Sequence, residues 1–318
     1  MRLPTLAAAA LGTVVLSLAT GCSPEPQASS GTADRALRLA TGPAITIGDI
    51  EPIEPAKRIR RLQPLGDLLG SRLSAHGIER GRVVVARTIE EMAGLLARGE
   101  VDLYCDSPFP VLSARRAAGG EVRLRRAAGG DFDYWSVFIT PRESPIRNLG
   151  DLRGRVVALH EPHSTAGYYL PIMAMKEAGL VVQPVDGPSS IVAADRVGYF
   201  FSQDEENTVE LIRTGMAAAG VISNQEFENL PPEYVGEIAQ IARTDSAPRQ
   251  LVLAREGLDP ELLESVESIL LELSDTDRQA MAAADPQFGW TWIFDRLDVE
   301  TSAFIARFDA SLSAEDRT

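Results

Sequence analysis

The chain has 318 residues, is 45% hydrophobic but only 6% aromatic, and carries a formal charge of −14 from 45 acidic and 31 basic residues. A body this acidic excludes nucleic acid as a partner, because its field repels phosphate backbones. With two cysteines and three histidines there is no His/Cys cluster at zinc spacing, and any anion site must work through local donors.

The first element is a targeting segment. Arg2 precedes an almost wholly apolar run over residues 3–19, too short for a bilayer span and suited to a signal-peptide core. The run stops at Ala19-Thr20-Gly21-Cys22, small residues before a cysteine, similar to a bacterial lipobox in which Cys22 is lipidated. The motif more usually has leucine where Ala19 stands. The alternative is an ordinary signal peptide cut near Gly21, with Cys22 left as a thiol. Removing residues 1–21 deletes one arginine and no acid, so the charge moves from −14 to −15. Residues 22–36 are rich in Ser, Pro, Gly and Ala and are expected to form a flexible tether. Cys105 then has no disulfide partner and is expected to be buried and reduced.

The body alternates strand-like and helix-like runs. Short apolar runs at 37–40 and 45–48 precede a helix whose main part starts at Pro64, with Leu65, Leu68, Leu69 and Leu73 on one stripe. Val83-Val84-Val85 has the character of a buried parallel strand. Thr88, with Glu91 three residues on, predicts a capping box, and Gly99 a helix end. Residues 101–104 form the next strand, completing βαβ grammar. A long strand over 134–140 precedes a second α/β block: a strand at 155–159, a helix to Gly179, an irregular stretch to about Glu205, a helix to Gly215 and a strand at 217–222. A late strand at 251–253 is followed only by helices, at 260–274, 276–284 and 301–312. The chain is thus expected to leave its first domain at the long strand and return near residues 247–254, the two crossings forming a hinge.

Two strand-to-helix junctions carry the chemistry. In His160-Glu-Pro-His163-Ser164-Thr165-Ala166-Gly167-Tyr168 a buried strand runs into a loop and a helix opens at Ser164-Thr165. Unpaired N–H groups, hydroxyls and small residues there suit a tetrahedral anion, while the simpler reading is a helix cap. His163 could add a donor. In Tyr104-Cys105-Asp106-Ser107-Pro108 a second helix opens after Ser107, and ligands in such sheets gather beyond the carboxyl ends of strands. For Asp204-Glu205-Glu206 three readings stand open: a cap, a partner for the cationic end of a zwitterionic ligand, or a metal site with Asp49, Glu51 or Glu54. Tyr168 and Tyr169 are assigned to cleft wall or core. Trp290 and Trp292 read as core, and Arg58, Arg60 and Arg61 as a solvated helix face.

Over most of the body the sequence resembles the phosphate/phosphite/phosphonate-binding receptors of ABC importers. The pieces that carry the resemblance are Gln63-Pro64-Leu65-Gly66-Asp67-Leu68-Leu69, Gly99-Glu100-Val101-Asp102, Ser136-Val137-Phe138-Ile139, Asn148-Leu149-Gly150-Asp151-Leu152-Arg153-Gly154 and above all Ser164-Thr165-Ala166-Gly167. The last implies an oxyanion held by hydroxyls and helix N–H groups. The chain departs from the family at Cys105-Asp106-Ser107, where an aromatic and a glycine are frequent, and at residues 201–207, which lack a histidine.

The resemblance implies an α/β, two-domain type II periplasmic-binding-protein fold, with two mixed sheets flanked by helices and joined by two hinge strands. The expected layout is a signal peptide (1–21), a lipidated tether (22–36), domain 1 (37–138 plus 249–318) and domain 2 (139–248). The expected function is that of an extracytoplasmic solute-binding lipoprotein on the outer face of the cytoplasmic membrane. It binds a phosphonate, phosphite or phosphate through Ser164, Thr165, Ala166, Gly167, Ser107, Asp106, Tyr168, His163, Asp204 and Glu205. A monomer, no cofactor and an ABC permease partner are expected. A sulfonate or metal-complex receptor, or a partner of a signalling protein, are the alternatives. No Gly-x-Ser-x-Gly elbow, dinucleotide fingerprint or Walker loop follows a strand, so an enzyme is not expected.

Overall fold

The computed structural model describes residues 42–283 and 292–315. The expected signal segment, Cys22, the expected tether, the run at 37–40, Phe288 and Trp290 lie outside the described residues. All elements below belong to the unit Pro43–Thr318.

β1 (Ala44–Ile50) is buried at every position after Ala44, as a strand covered on both faces must be. α1 (Pro55–Arg72) opens with Pro55 and runs through Pro64, so the helix starts nine residues earlier than its apolar stripe suggests. β2 (Arg80–Ala86) lies tight against α1: a Cβ on Gly81 would sit 1.8 Å from the Gly66 carbonyl oxygen. α2 (Ile89–Ala97) is capped by Thr88 Oγ1, which accepts the Glu91 N–H at 3.2 Å, while the Glu91 carboxylate accepts the Arg87 N–H at 2.8 Å. Then come β3 (Leu103–Asp106), α3 (Pro108–Ala118), β4 (Glu121–Arg126), β5 (Asp133–Tyr134), β6 (Ser136–Pro141) and β7 (Val156–Leu159). A π-turn over Thr165–Tyr169 leads into α4 (Leu170–Glu177). β8 (Val181–Pro184), β9 (Arg196–Phe201), α5 (Glu205–Arg213), β10 (Ala219–Ser223), α6 (Asn224–Glu228), α7 (Pro232–Val235) and β11 (Ile238–Arg243) complete the second block. β12 (Ala247–Pro248), β13 (Gln250–Ala254), α8 (Pro260–Leu271), α9 (Asp275–Ala282), β14 (Phe294–Arg296) and α10 (Val299–Glu315) follow.

Two six-stranded mixed sheets result. The first has the order β14-β4-β13-β3-β1-β2 and the second β11-β6-β10-β7-β9-β8. In the first, β2, β1 and β3 are parallel, and the returning strand β13 lies antiparallel between β3 and β4. In the second, β8, β9, β7 and β10 are parallel and β6 lies antiparallel between β10 and β11. The two crossings pair with each other only in the short antiparallel ribbon β5–β12. Beside it, the Ser136 N–H donates to Thr244 Oγ1 and the Thr244 N–H to the Ser136 carbonyl, both at 3.0 Å.

The stretch expected to be irregular up to Glu205 contains β8 and β9. Their Pro-, Gly- and Ser-rich surroundings hide them in the sequence. Each sheet has an apolar cluster on each face. Side chains such as Leu69, Phe138, Val157 and Leu253 are fully buried, each worth roughly 1.5–3 kcal/mol. One cluster of the first sheet continues into Ala166 and Leu170 of the second block, so apolar packing crosses between the lobes. Trp292 is core, 1% exposed, with the Arg126 guanidinium 5.1 Å from its ring.

Candidate functional site

The parallel strands β1 and β3 of one lobe and β7, β9 and β10 of the other end toward a shared crevice. A hydrogen bond joins the lobes there: the Phe109 N–H donates to Thr165 Oγ1 at 2.8 Å. Thr165 is 1% exposed and Ser107 is half-buried. Tyr134, on the β5 crossing, is buried, and the Thr165 and Ser107 side chains both act on its phenol, opposing the effect of burial. Burial raises the Tyr134 pKa well above the usual phenol value, so it stays protonated and able to donate. Side chains from both lobes, Thr165 and Ser107, thus neighbour the Tyr134 side chain of the hinge.

Local sequence explains each part. Ser164 Oγ accepts the Gly167 N–H at 2.9 Å, and the Ser164 carbonyl accepts the Tyr169 N–H at 3.1 Å. Ser164 is therefore spent as a cap, and the first-turn N–H groups of Thr165 and Ala166 are the ones the turn does not use. Gly167 is required by space: a Cβ would lie 2.2 Å from the His160 Cβ. The Ser136 hydroxyl, fully buried, donates to the Ala166 carbonyl at 2.6 Å and fixes the turn against the crossing strand.

The α3 tip, the second helix start, has few free backbone donors. Pro108 and Pro110 have no N–H, and the Phe109 N–H goes to Thr165. What this tip offers is the Ser107 hydroxyl, which makes no cap bond to its own helix.

Charged groups surround these hydroxyls. The Asp106 carboxylate accepts the Ser107 N–H at 2.6 Å and the Tyr104 hydroxyl at 3.0 Å. Asp49, at the end of β1, is 3% exposed. Burial, set against the Arg58 charge and reinforced by Asp106, pushes it up to about 7. Arg58 Nε lies 3.6 Å from Asp49, and Arg58 reaches Glu51 at 3.5 Å. Arg58 thus turns inward instead of joining a solvated face, because two carboxylates at the end of β1 draw it in; Arg60 is exposed as expected. His163 Nε2 lies 3.0 Å from Glu161. Burial opposes the His163 charge, but the Glu161 hydrogen bond and the charges of Glu161, Asp106 and Glu51 overcome it and raise the imidazole pKa.

The acidic stretch follows the carboxyl end of β9, beside that of β10. Asp204 caps α5, accepting the Asn207 N–H at 2.5 Å, and Glu205 accepts the Ser223 N–H at 2.5 Å. Asp49, Glu51 and Glu54 form no metal-binding group with them among the described residues. Tyr168 packs edge-on to Phe109 and Phe201, and Tyr169 stacks on Phe109 and bonds Ser311 through its hydroxyl at 3.0 Å. Cys105 is buried and free, with its thiol pushed up to about 11 by burial. Sequence reasoning missed Tyr134, which read as a strand residue, named Asp49 only as one option for a metal site and placed Arg58 on a solvated face; the pairing of Asp49 with Arg58 appears only where β1 and α1 pack.

Two mixed sheets joined by a double crossing, with a crevice beyond their carboxyl strand ends, define a type II periplasmic binding protein. The family model for the periplasmic substrate-binding protein of phosphonate ABC transporters matches residues 50–293, and the chain belongs to that family. Among solved structures, XAC2383 from Xanthomonas citri bound to chloride ion is 25% identical, covers 86% of this chain and 99% of its own, and has a TM-score of 0.78. The same protein bound to ATP matches at 24% identity, 85% and 97% coverage, and a TM-score of 0.78. PhnD1 from Prochlorococcus marinus in complex with methylphosphonate is 15% identical, with coverages of 85% and 98% and a TM-score of 0.61. No helix among the described residues is long and apolar enough to cross a membrane.

Proposed function

We propose that this chain is the lipid-anchored solute receptor of an ABC importer and holds a phosphate-like oxyanion (a phosphonate, phosphite or phosphate) between its two lobes. The observation that carries the reading is the meeting of the two helix tips, where Thr165 Oγ1 accepts the Phe109 N–H, with the uncapped Ser107 hydroxyl and the Tyr134 side chain beside it and the Thr165 and Ala166 N–H groups unused by the turn. Such donors complement the oxygens of a tetrahedral anion without a global positive field. His163 adds a cationic donor nearby. Ser164, Gly167 and Ser136 act by shaping the turn. Asp204 and Glu205 serve the α5 cap and the β10 end.

With Thr165 at 1% exposure, the ligand enters only when the lobes part, and the β5–β12 ribbon is where they bend. Ligand then drives closure to the extent that it prefers the closed form. Docking on the permease and lipidation at Cys22 complete the reading; palmitate labelling of wild type but not of Cys22→Ala tests the anchor.

The test of the site is thermal shift with methylphosphonate, phosphite and phosphate. Binding raises the melting temperature by mass action, and Thr165→Val abolishes the rise. The same change strips the Phe109 N–H of its acceptor, about 1–3 kcal/mol in the closed form, so Thr165→Ser is the matched control and retains the response. A full shift in Thr165→Val would place the anion elsewhere.

A further inference from the structure

A cavity of about 370 Å³ lies where α10 meets α4, and none of Thr165, Ser107, Asp106 or His163 lines it. Its size falls within the range of small-molecule pockets, about 300–1,000 Å³. Leu170, Met173 and Glu177 reach it from one face of α4, and Phe304, Arg307 and Phe308 from one face of α10. Residues 243–246, on the way back from β11 to the first lobe, complete the lining. The two helical walls belong to different lobes: Phe304 and Phe308 pack in a cluster of the first sheet, Ile172 and Met175 of α4 in one of the second. Tyr169 joins the walls, sharing a hydrogen bond with Ser311 at 3.0 Å and lying 4.8 Å from the Phe308 ring.

The lining has both parts of a ligand site. Arg243 and Arg307 line it, and neither has an acidic partner among the described residues; Arg243 covers the Trp135 ring at 5.5 Å. A guanidinium holds an oxyanion by paired, charge-assisted hydrogen bonds. Glu177 and Asp245 line the cavity too, without a cationic partner among the described residues, and would repel a ligand of high negative charge. Phe304, Phe308 and Met173 offer an apolar bed for the rest of the molecule.

We infer that this cavity is a second binding site, for an organic monoanion with an apolar body, and that its occupant ties the lobes together. The Phe109 ring stacks on Tyr169 and lies 6.2 Å from the Phe308 ring, so the motion that opens the crevice also moves α4 against α10. A molecule that touches both helices loses contacts when the lobes part. It therefore binds the closed form better and shifts the equilibrium by that difference.

Titration of the full chain with anilinonaphthalene sulfonate, an aromatic body carrying one sulfonate, makes the test. Wild type binds the dye with a rise in its fluorescence. Arg307→Glu, at an exposed position, weakens the dye about tenfold. Met173→Trp fills the cavity and abolishes binding; if it fails to fold, Arg307→Glu decides. Bound dye slows hydrogen exchange in both α4 and α10, and dye and methylphosphonate tighten each other by one common factor. No fluorescence rise, equal binding by wild type and Arg307→Glu, or displacement of the dye by methylphosphonate overturns the inference. Protection of one helix only, or mutual affinities that do not change, overturns the bridging role. If the chain binds no methylphosphonate, the oxyanion reading falls, and the dye and exchange measurements decide this inference by themselves.

Discussion

Asp49 ends β1 beside Arg58, and burial lifts its pKa from 3.8 to about 7. A carboxyl raised in the fold contributes stability that is full below its unfolded value and is lost as pH climbs toward its folded one. Wild type therefore loses stability relative to Asp49→Asn as pH rises from about 4 to about 7. Melting temperatures of the two proteins across that window check this: the gap between them widens toward neutrality, and parallel curves would refute it. The residue alphabet at the junctions was readable in advance. Ser164, Thr165 and Gly167 stand at a strand-to-helix turn, where small and hydroxyl side chains have few other uses. The roles of Asp49, Arg58 and Tyr134 were not readable, because they depend on packing: β1 against α1 brings Asp49 to Arg58, with Asp106 adding its charge, and Thr165 and Ser107 reach Tyr134 across the fold.

At the scale of elements, the decisive piece is the π-turn Thr165–Tyr169, in which the Leu170 N–H bonds the Thr165 carbonyl five residues back. The wider turn is closed by Ser164 at its start, by Ser136 from β6 and by the His160 N–H, which donates to the Gly167 carbonyl at 3.0 Å. Gly167→Ala drives a methyl group into His160, whose position is pinned through that bond, and costs about 1–3 kcal/mol. A chemical-denaturation midpoint that does not move would show that the turn yields freely. Apolar periodicity in the sequence identified a helix after residue 164 but could not foresee its π start, since spacing reports which residues are buried and not the hydrogen-bond register. Capping residues were more telling: Thr88 with Glu91 acts at the start of α2, as its spacing predicts. β4, written EVRLRR, alternates buried and more exposed residues, but its charges mask the pattern.

Across the whole molecule, the lobes meet through a compact set of contacts: Phe109 stacked on Tyr169 at 5.1 Å, edge-on to Tyr168 at 5.9 Å, and joined to Thr165 through its N–H. Aromatic pairs of this kind contribute about 0.5–1.5 kcal/mol each beyond their buried area. Phe109→Ala leaves the backbone donor in place but removes the ring, so the ligand-free population moves toward open forms. Small-angle scattering then gives a larger radius of gyration than wild type; identical curves would mean the ring does not hold the lobes together. The two α/β blocks were legible from the order of elements, because βαβ grammar appears twice around two long strands. How closely the lobes approach was not legible, since that depends on contacts between residues about 60 positions apart, such as Phe109 and Tyr169.

The ribbon β5–β12 pairs only Tyr134 with Ala247 and Asp133 with Pro248, and no strand of either six-stranded sheet is shared with the other. Swinging one half against the other therefore tears no ladder of either sheet: it breaks the Phe109–Thr165 bond and the aromatic contacts of Phe109 and bends the chain beside the Ser136–Thr244 clasp. Gaping and melting become separate events with separate barriers. A molecule built this way can cycle through capture and release indefinitely while hydrogen exchange in the interior of its sheets stays as slow as in a protein that never moves.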